Sequence, residues 1–161
     1  YYKDEPFDLI VYSNLIRSQS SVIHFLTKPI QGIEWSDLKE ISWGINEGLE
    51  TSEAVWSRYR HVVDSWKEGL LDERVENGES ATELGLRAQN SIDWIEKTGR
   101  TNMLVCSHGR TIRAIVCLLL EKPLTFMEDV SHKNLGLYKF HYIDGHWSCS
   151  LSDDITHLTL S

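Results

Sequence analysis

Two short apolar runs, each followed by small polar residues and then by a helical pattern, organise this chain. Asp8 to Ser13 (DLIVYS) is β-branched and apolar over a length that suits a buried strand, and Ser13 and Asn14 end it. Leu15 to Leu26 follows with Leu15, Val22, Phe25 and Leu26 near helical spacing, and Lys28-Pro29 closes that helix. Asn102 to Ser107 (NMLVCS) is the second run and again reads as a buried strand. His108-Gly109 then turns the chain, and Thr111 to Leu120 is a strongly apolar helix that Lys122-Pro123 ends. Between the two units, Glu34 to Gly48 is rich in Trp, Glu and Gly without a clean period, which predicts an ordered loop. Ser52 to Leu71 is helical in pattern, with Ala54, Val55, Tyr59, Val62, Val63 and Trp66 on one broad face. Ser80 and Glu83 have the spacing of a capping box, so a helix should run from Ala81 to Lys97. Gly136 to Ile143 and Trp147 to Leu151 have strand composition around Asp144-Gly145, a hairpin signal. Strands alternating with helices, then a late hairpin, predict an α/β three-layer sandwich. Its sheet would be mainly parallel, with helices on both faces and an antiparallel edge.

Composition narrows the possibilities further. The 161 residues suffice for one domain, and no repeat, low-complexity tract or linker divides them. Hydrophobic residues at 41% and charged residues at 25% are an ordinary globular balance. A net charge of −8 offers no general basic surface for nucleic acid. The longest apolar stretch, Ala114 to Leu120, is too short to span a membrane. Three cysteines without a CxxC pair suit a reducing compartment, so a cytoplasmic location is expected. Self-association into a homo-oligomer is compatible with the sequence.

Ligands of open α/β sheets bind outside the carboxyl ends of strands. Two such ends carry cations beside a helix start: Ser13-Asn14-Leu15-Ile16-Arg17 and Ser107-His108-Gly109-Arg110. A helix N-terminus disfavours a cation by its dipole and favours an anion, so a bound anion gives Arg17 and His108 a reason to be there. The arginine fork matches phosphate. Taken singly, a solvated arginine or a hydrogen-bonded structural histidine accounts for either residue. Glu40 lies between Leu38 and Ile41 and near Trp35 and Trp43, apolar surroundings that suit a general acid; a surface glutamate on a turn is the other reading. Gly-x-Ser-x-Gly and a P-loop are absent, and the seven histidines show no zinc-ligand spacing.

These segments together resemble the histidine phosphatase superfamily, with its phosphoglycerate-mutase-like fold. Ser13-Asn14-Leu15-Ile16-Arg17-Ser18-Gln19-Ser20 resembles the Ser-x-Leu-x-Arg segment that follows a family strand. Leu38 to Gly48 is similar to Leu-x-Glu-x-x-x-Gly-x-x-Glu-Gly, and Gly78-Glu79-Ser80, with Arg87 after it, to a Gly-Glu-Ser helix start. Leu104 to Ala114 resembles the second-histidine strand and helix, and Ser152 to Leu158 a C-terminal Asn-Asp-x-x-His-Leu. The resemblance implies phosphoryl transfer through a phosphohistidine. Arg17 and His108 would hold the phosphoryl oxygens, the Gly109 N–H would add a donor, and Glu40 would protonate the leaving alkoxide. It implies no metal and no cofactor, and a small phosphorylated substrate as the partner. The 37 residues between Glu40 and Gly78 favour a phosphatase over a phosphoglycerate mutase, whose insert there is longer. A non-catalytic phospholigand-binding domain is the reading from another class.

The family's nucleophile stands in an Arg-His-Gly motif that is absent here; Arg60-His61 is followed by Val62 within a helical pattern. The chain opens on Tyr1 rather than Met, and 12 residues precede Ser13. The expectation is therefore a single domain over 1–161 that lacks the N-terminal strand and its nucleophile. About fifty missing residues are preferred to a true variant, because losing that strand would open a buried parallel sheet in its middle.

Overall fold

The computed structural model describes residues 2, 4–27 and 29–159; Tyr1 and Lys28, both used in the reading above, lie outside them. Three strands, β1 (Leu9–Tyr12), β2 (Gln31–Glu34) and β3 (Met103–Cys106), form a parallel sheet in the order β2-β1-β3. The central position of β1 accounts for its unbroken apolar run. Leu9, Ile10 and Val11 are fully buried, as expected of a parallel strand covered on both faces. Leu9 and Val11 pack with Leu38, Trp94 and Ile115, on the side of helices α3 (Ala81–Lys97) and α4 (Gly109–Leu119). Ile10 points the other way, and helix α1 (Ile16–Leu26) also packs on β1.

β2 was not foreseen from the sequence. Gln31-Gly32-Ile33-Glu34 is a mostly exposed edge strand with no alternation to read. A Cβ on Gly32 would stand 2.5 Å from Leu26 Cδ2, so the close approach of α1 accounts for the glycine. β3, expected as a buried strand, is only half-buried throughout. It lies at the edge of the parallel sheet, and among the described residues no strand pairs with its far side.

Helix α2 (Glu53–Lys67) is capped by Ser52, whose Oγ accepts from the Val55 N–H. It ends four residues earlier than expected, where Gly69 takes φ +91° just past the C-cap. Its buried face is Val62, Val63 and Trp66, while Ala54 is exposed. These residues join Leu84 and Ala88 of α3, Ala114 and Cys117 of α4, Ile41 and Met127 in one core. The capping box of α3 is present as expected: Ser80 Oγ accepts from the Glu83 N–H and the Glu83 carboxylate from the Ser80 N–H.

The hairpin β4 (Leu137–Ile143) and β5 (His146–Asp154) turns through Asp144 and Gly145, both at positive φ. It forms a two-stranded sheet of its own rather than the edge of the parallel one. Trp147 Nε1 donates to Glu96 on α3 at 2.7 Å and ties the hairpin to the helical layer. The mixed α/β class is as expected, with the antiparallel part set apart. No helix among the described residues is long and apolar enough to cross a membrane.

Candidate active site

Tyr12 and Cys106 are register partners at the carboxyl ends of β1 and β3, so Ser13 and His108 leave the sheet side by side. His108 is the N-cap of α4, with Gly109 the first helical residue. Arg17 is the second residue of α1. Arg17 Nε donates to His108 Nδ1 at 3.1 Å, and His108 Nε2 lies 2.7 Å from Ser13 Oγ. Arginine can only donate, so Nδ1 must accept and the neutral ring carries its proton on Nε2, which donates to Ser13. Burial lowers the His108 pKa below its ordinary 6.5, Arg17 and Arg87 add to that, and Glu40 opposes it. Arg17 itself is exposed, and among the described residues no hydrogen bond or ion pair engages its Nη groups. Ser18 Oγ completes the corner, donating to the Cys106 carbonyl and accepting the Ser13 N–H.

Glu40 reaches the same place from a different part of the chain. Its neighbours Leu38 and Ile41 are buried in the two core clusters and fix the backbone on either side. Three consecutive carbonyls before it are all satisfied. Arg87 Nη1 donates to those of Asp37 (2.7 Å) and Lys39 (2.8 Å), Ser107 Oγ to that of Leu38 (2.7 Å), and Thr111 Oγ1 to that of Lys39 (2.6 Å). Arg87 is held by a two-pronged pair with Glu79, at 2.6 and 2.8 Å. Glu40 Oε1 accepts the N–H groups of Ile41 (3.0 Å) and Arg110 (3.1 Å), the latter in the first turn of α4. Its Oε2 lies 3.6 Å from where a Cβ on Gly109 would stand, an ordinary van der Waals contact.

The structure therefore gathers Arg17, His108, Gly109 and Glu40 around the start of α4. It adds groups that the sequence reading did not assign. Ser13 bonds His108, and Arg87 with Glu79 clamps the loop that carries Glu40. The Gly-Glu-Ser helix start followed by Arg87 was the available signal for that clamp; nothing local marked Ser13 as a partner of a residue 95 positions away. Arg110, the cation that follows His108 and Gly109 at the second strand end, is neither free nor solvated. It is buried, pairs with Glu128 and Tyr59 Oη, and lies over the rings of Trp43 (5.9 Å) and Tyr59 (5.5 Å). Arg17, exposed and with its Nη groups unengaged among the described residues, is a cation available to meet an anion here. Beyond Arg110, Trp43, Trp56 and Tyr59 line a cleft of about 350 Å³ with Asn46, Glu47, Thr51 and Val55.

An arginine and a histidine thus meet at two helix starts on the carboxyl side of a parallel α/β sheet. Residues 1–155 match the histidine phosphatase superfamily (branch 1), and the chain belongs to that family. A relative in Hydrogenobacter thermophilus (strain DSM 6534 / IAM 12695 / TK-6), named "Putative phosphoserine phosphatase 2", is 28% identical over 107 residues. That match covers 65% of this chain and 51% of the relative, so it spans about half of the relative's length. The alpha-ribazole phosphatase of Shigella flexneri superposes with a TM-score of 0.78 at 16% identity, covering 94% of this chain and 75% of that one. YhfR of Bacillus stearothermophilus superposes with a TM-score of 0.80 at 14% identity, covering 98% and 79%. A mycobacterial glucosyl-3-phosphoglycerate phosphatase gives 0.70 at 17% identity, covering 90% and 76%. At such identities the superpositions show a shared fold.

Proposed function

We propose that this chain carries most of the catalytic site of a metal-independent phosphomonoester phosphatase. It would act on a small phosphorylated metabolite through a phosphohistidine intermediate. The observation that carries this reading is the convergence of Arg17, His108 and Glu40, from three separate chain segments, at the N-terminus of α4. A phosphate dianion entering there separates the Arg17–His108 pair. It then receives the Arg17 donors, the Gly109 N–H and, once His108 Nδ1 has taken up a proton, the Nδ1–H of that ring. These preorganised donors and the helix start stabilise charge on the transferring group, which is the role a metal plays elsewhere.

The nucleophilic histidine comes from outside these residues in this reading. The side of β3 that no strand among the described residues pairs with, and the separate hairpin, support it, since a further parallel strand there would cover the edge. Attack on phosphorus breaks the bond to the leaving oxygen, which takes a proton from Glu40. Water then attacks the phosphohistidine and returns a proton to Glu40, so the cycle closes. The organic part of the substrate extends toward the Trp43–Trp56–Tyr59 cleft. The free Cys106, Cys117 and Cys149 accord with a cytoplasmic setting.

Arg17→Ala and His108→Ala in the full-length native protein should each lower kcat/KM for a simple phosphomonoester by about 100-fold or more. Full activity in either variant refutes the assignment. A phosphoenzyme that is stable to base and labile to acid should accumulate on rapid quench. The absence of an Arg-His-Gly motif within these residues favours one other reading, a phospholigand-binding domain. It predicts phosphate affinity in the full-length protein without turnover. Interconversion of 3- and 2-phosphoglycerate would instead identify a mutase.

A further inference from the structure

One imidazole at the site has no part in that scheme. His132 lies on the turn between α4 and β4, and both of its neighbours are tied to one buried carboxylate. Ser131 Oγ donates to Asp153 Oδ2 at 2.5 Å and the Lys133 N–H to Asp153 Oδ1 at 2.8 Å. Asp153 is 3% exposed. Burial pushes its carboxyl pKa up, but the bonds from Ser131 and Lys133 and the charges of Lys133 and His132 outweigh it, so the pKa falls below the ordinary value. Tyr138 Oη donates to the Ser131 carbonyl at 2.5 Å, and the Gly136 N–H to that of Lys133 at 2.9 Å. The turn is therefore braced on both sides of His132, although the ring itself is exposed.

The bracing aims the ring at the candidate site. A Cβ on Gly109 would stand 3.1 Å from His132 Cδ2 and 3.2 Å from its Nε2. The same point is 3.6 Å from Glu40 Oε2. The ring nitrogen and Glu40 Oε2, which backbone holds only through the long 3.5 Å bond from the Arg110 N–H, thus face one spot over the first residue of α4. A surface histidine with no task there would be free to turn into water, and no buried carboxylate would be needed to fix its flanks.

We propose that His132 is a further catalytic residue on the leaving-group side, donating a hydrogen bond from Nε2 to the leaving oxygen. This rests on the phosphatase reading above. As the P–O bond breaks, its electron pair stays on the leaving oxygen, which takes the Glu40 proton. His132 keeps its own proton and stabilises the charge that builds up before that transfer is complete. Asp153 is the positioning residue for the turn.

A leaving group that needs no help separates this role from a structural one. His132→Ala in the full-length native protein should lower kcat for an alkyl phosphate by about tenfold or more. Hydrolysis of p-nitrophenyl phosphate, whose leaving oxyanion is stable at neutral pH, should change less than about threefold, because little charge needs stabilising there. His132→Gln, which retains an N–H donor, should recover most of the alkyl-phosphate rate. Equal losses on both substrates, no loss on either, or no recovery by Gln overturns the proposal while the wild type remains an active phosphatase. A wild type that hydrolyses neither substrate overturns the phosphatase reading, and the His132 role with it.

Discussion

At the scale of single residues, His108 is the position whose chemistry is most constrained. It accepts from Arg17 and donates to Ser13, and its surroundings hold it neutral by burial first and by Arg17 next. The unfolded chain binds this proton more readily than the folded one. The stability His108 contributes is therefore fully present above the ordinary value of 6.5 and is lost as pH falls through its lower folded value. Proton NMR of the free protein should show the His108 ring titrating below 6.5, a signal absent in His108→Gln. Added phosphate should move that titration upward, because an anion beside the ring favours the imidazolium. An unperturbed titration, or one indifferent to phosphate, contradicts the arrangement. Arg17 and His108 were legible as candidates from the two strand ends. Their contact was not, since 91 residues separate them. Arg110 shows the opposite limit: a cation next to the site histidine looks available in sequence, and burial against Glu128 and Tyr59 takes it out of use.

At the scale of elements, the patterns with a local physical cause were readable. The capping box at Ser80 and Glu83 marks the start of α3 because two orphan backbone N–H groups need those side chains at that spacing. Ser80→Ala should cost about 1 kcal/mol of stability by denaturant unfolding. The effect on activity should be small unless α3 frays far enough to release Arg87 from the loop before Glu40. No loss of stability would mean that the cap is redundant. The Asp144-Gly145 turn was equally legible, because both of its residues take the positive φ that a two-residue hairpin requires. β2 escaped notice because an exposed edge strand has no buried face to pattern. The apolar pattern carries the helix over 53–67 too far, since Leu70 and Leu71 continue beyond the point where Gly69 turns the backbone.

At the scale of the whole molecule, the parallel sheet stops at β3 among the described residues, and the hairpin stands apart. Residues 1–161 expressed alone should exchange the β3 amides that point away from β1 much faster than those bonded to it. A longer native chain that supplies another strand should protect both sets; uniform protection in the shorter chain would mean that the edge is already covered. The charge of −8 does not oppose the anionic substrate proposed above, because Arg17 and two helix starts act locally. The sequence by itself determined the α/β alternation, the capped helix, the hairpin and the candidates Arg17, Glu40, His108 and Gly109. Each of these follows from periodicity, from a local hydrogen-bonding need or from a residue type at a strand end. Only the tertiary structure decided which candidates meet, that Arg110 pairs with Glu128, and that Asp153 braces the residues on either side of His132. Those outcomes depend on contacts between distant segments and on burial, which a linear pattern does not encode.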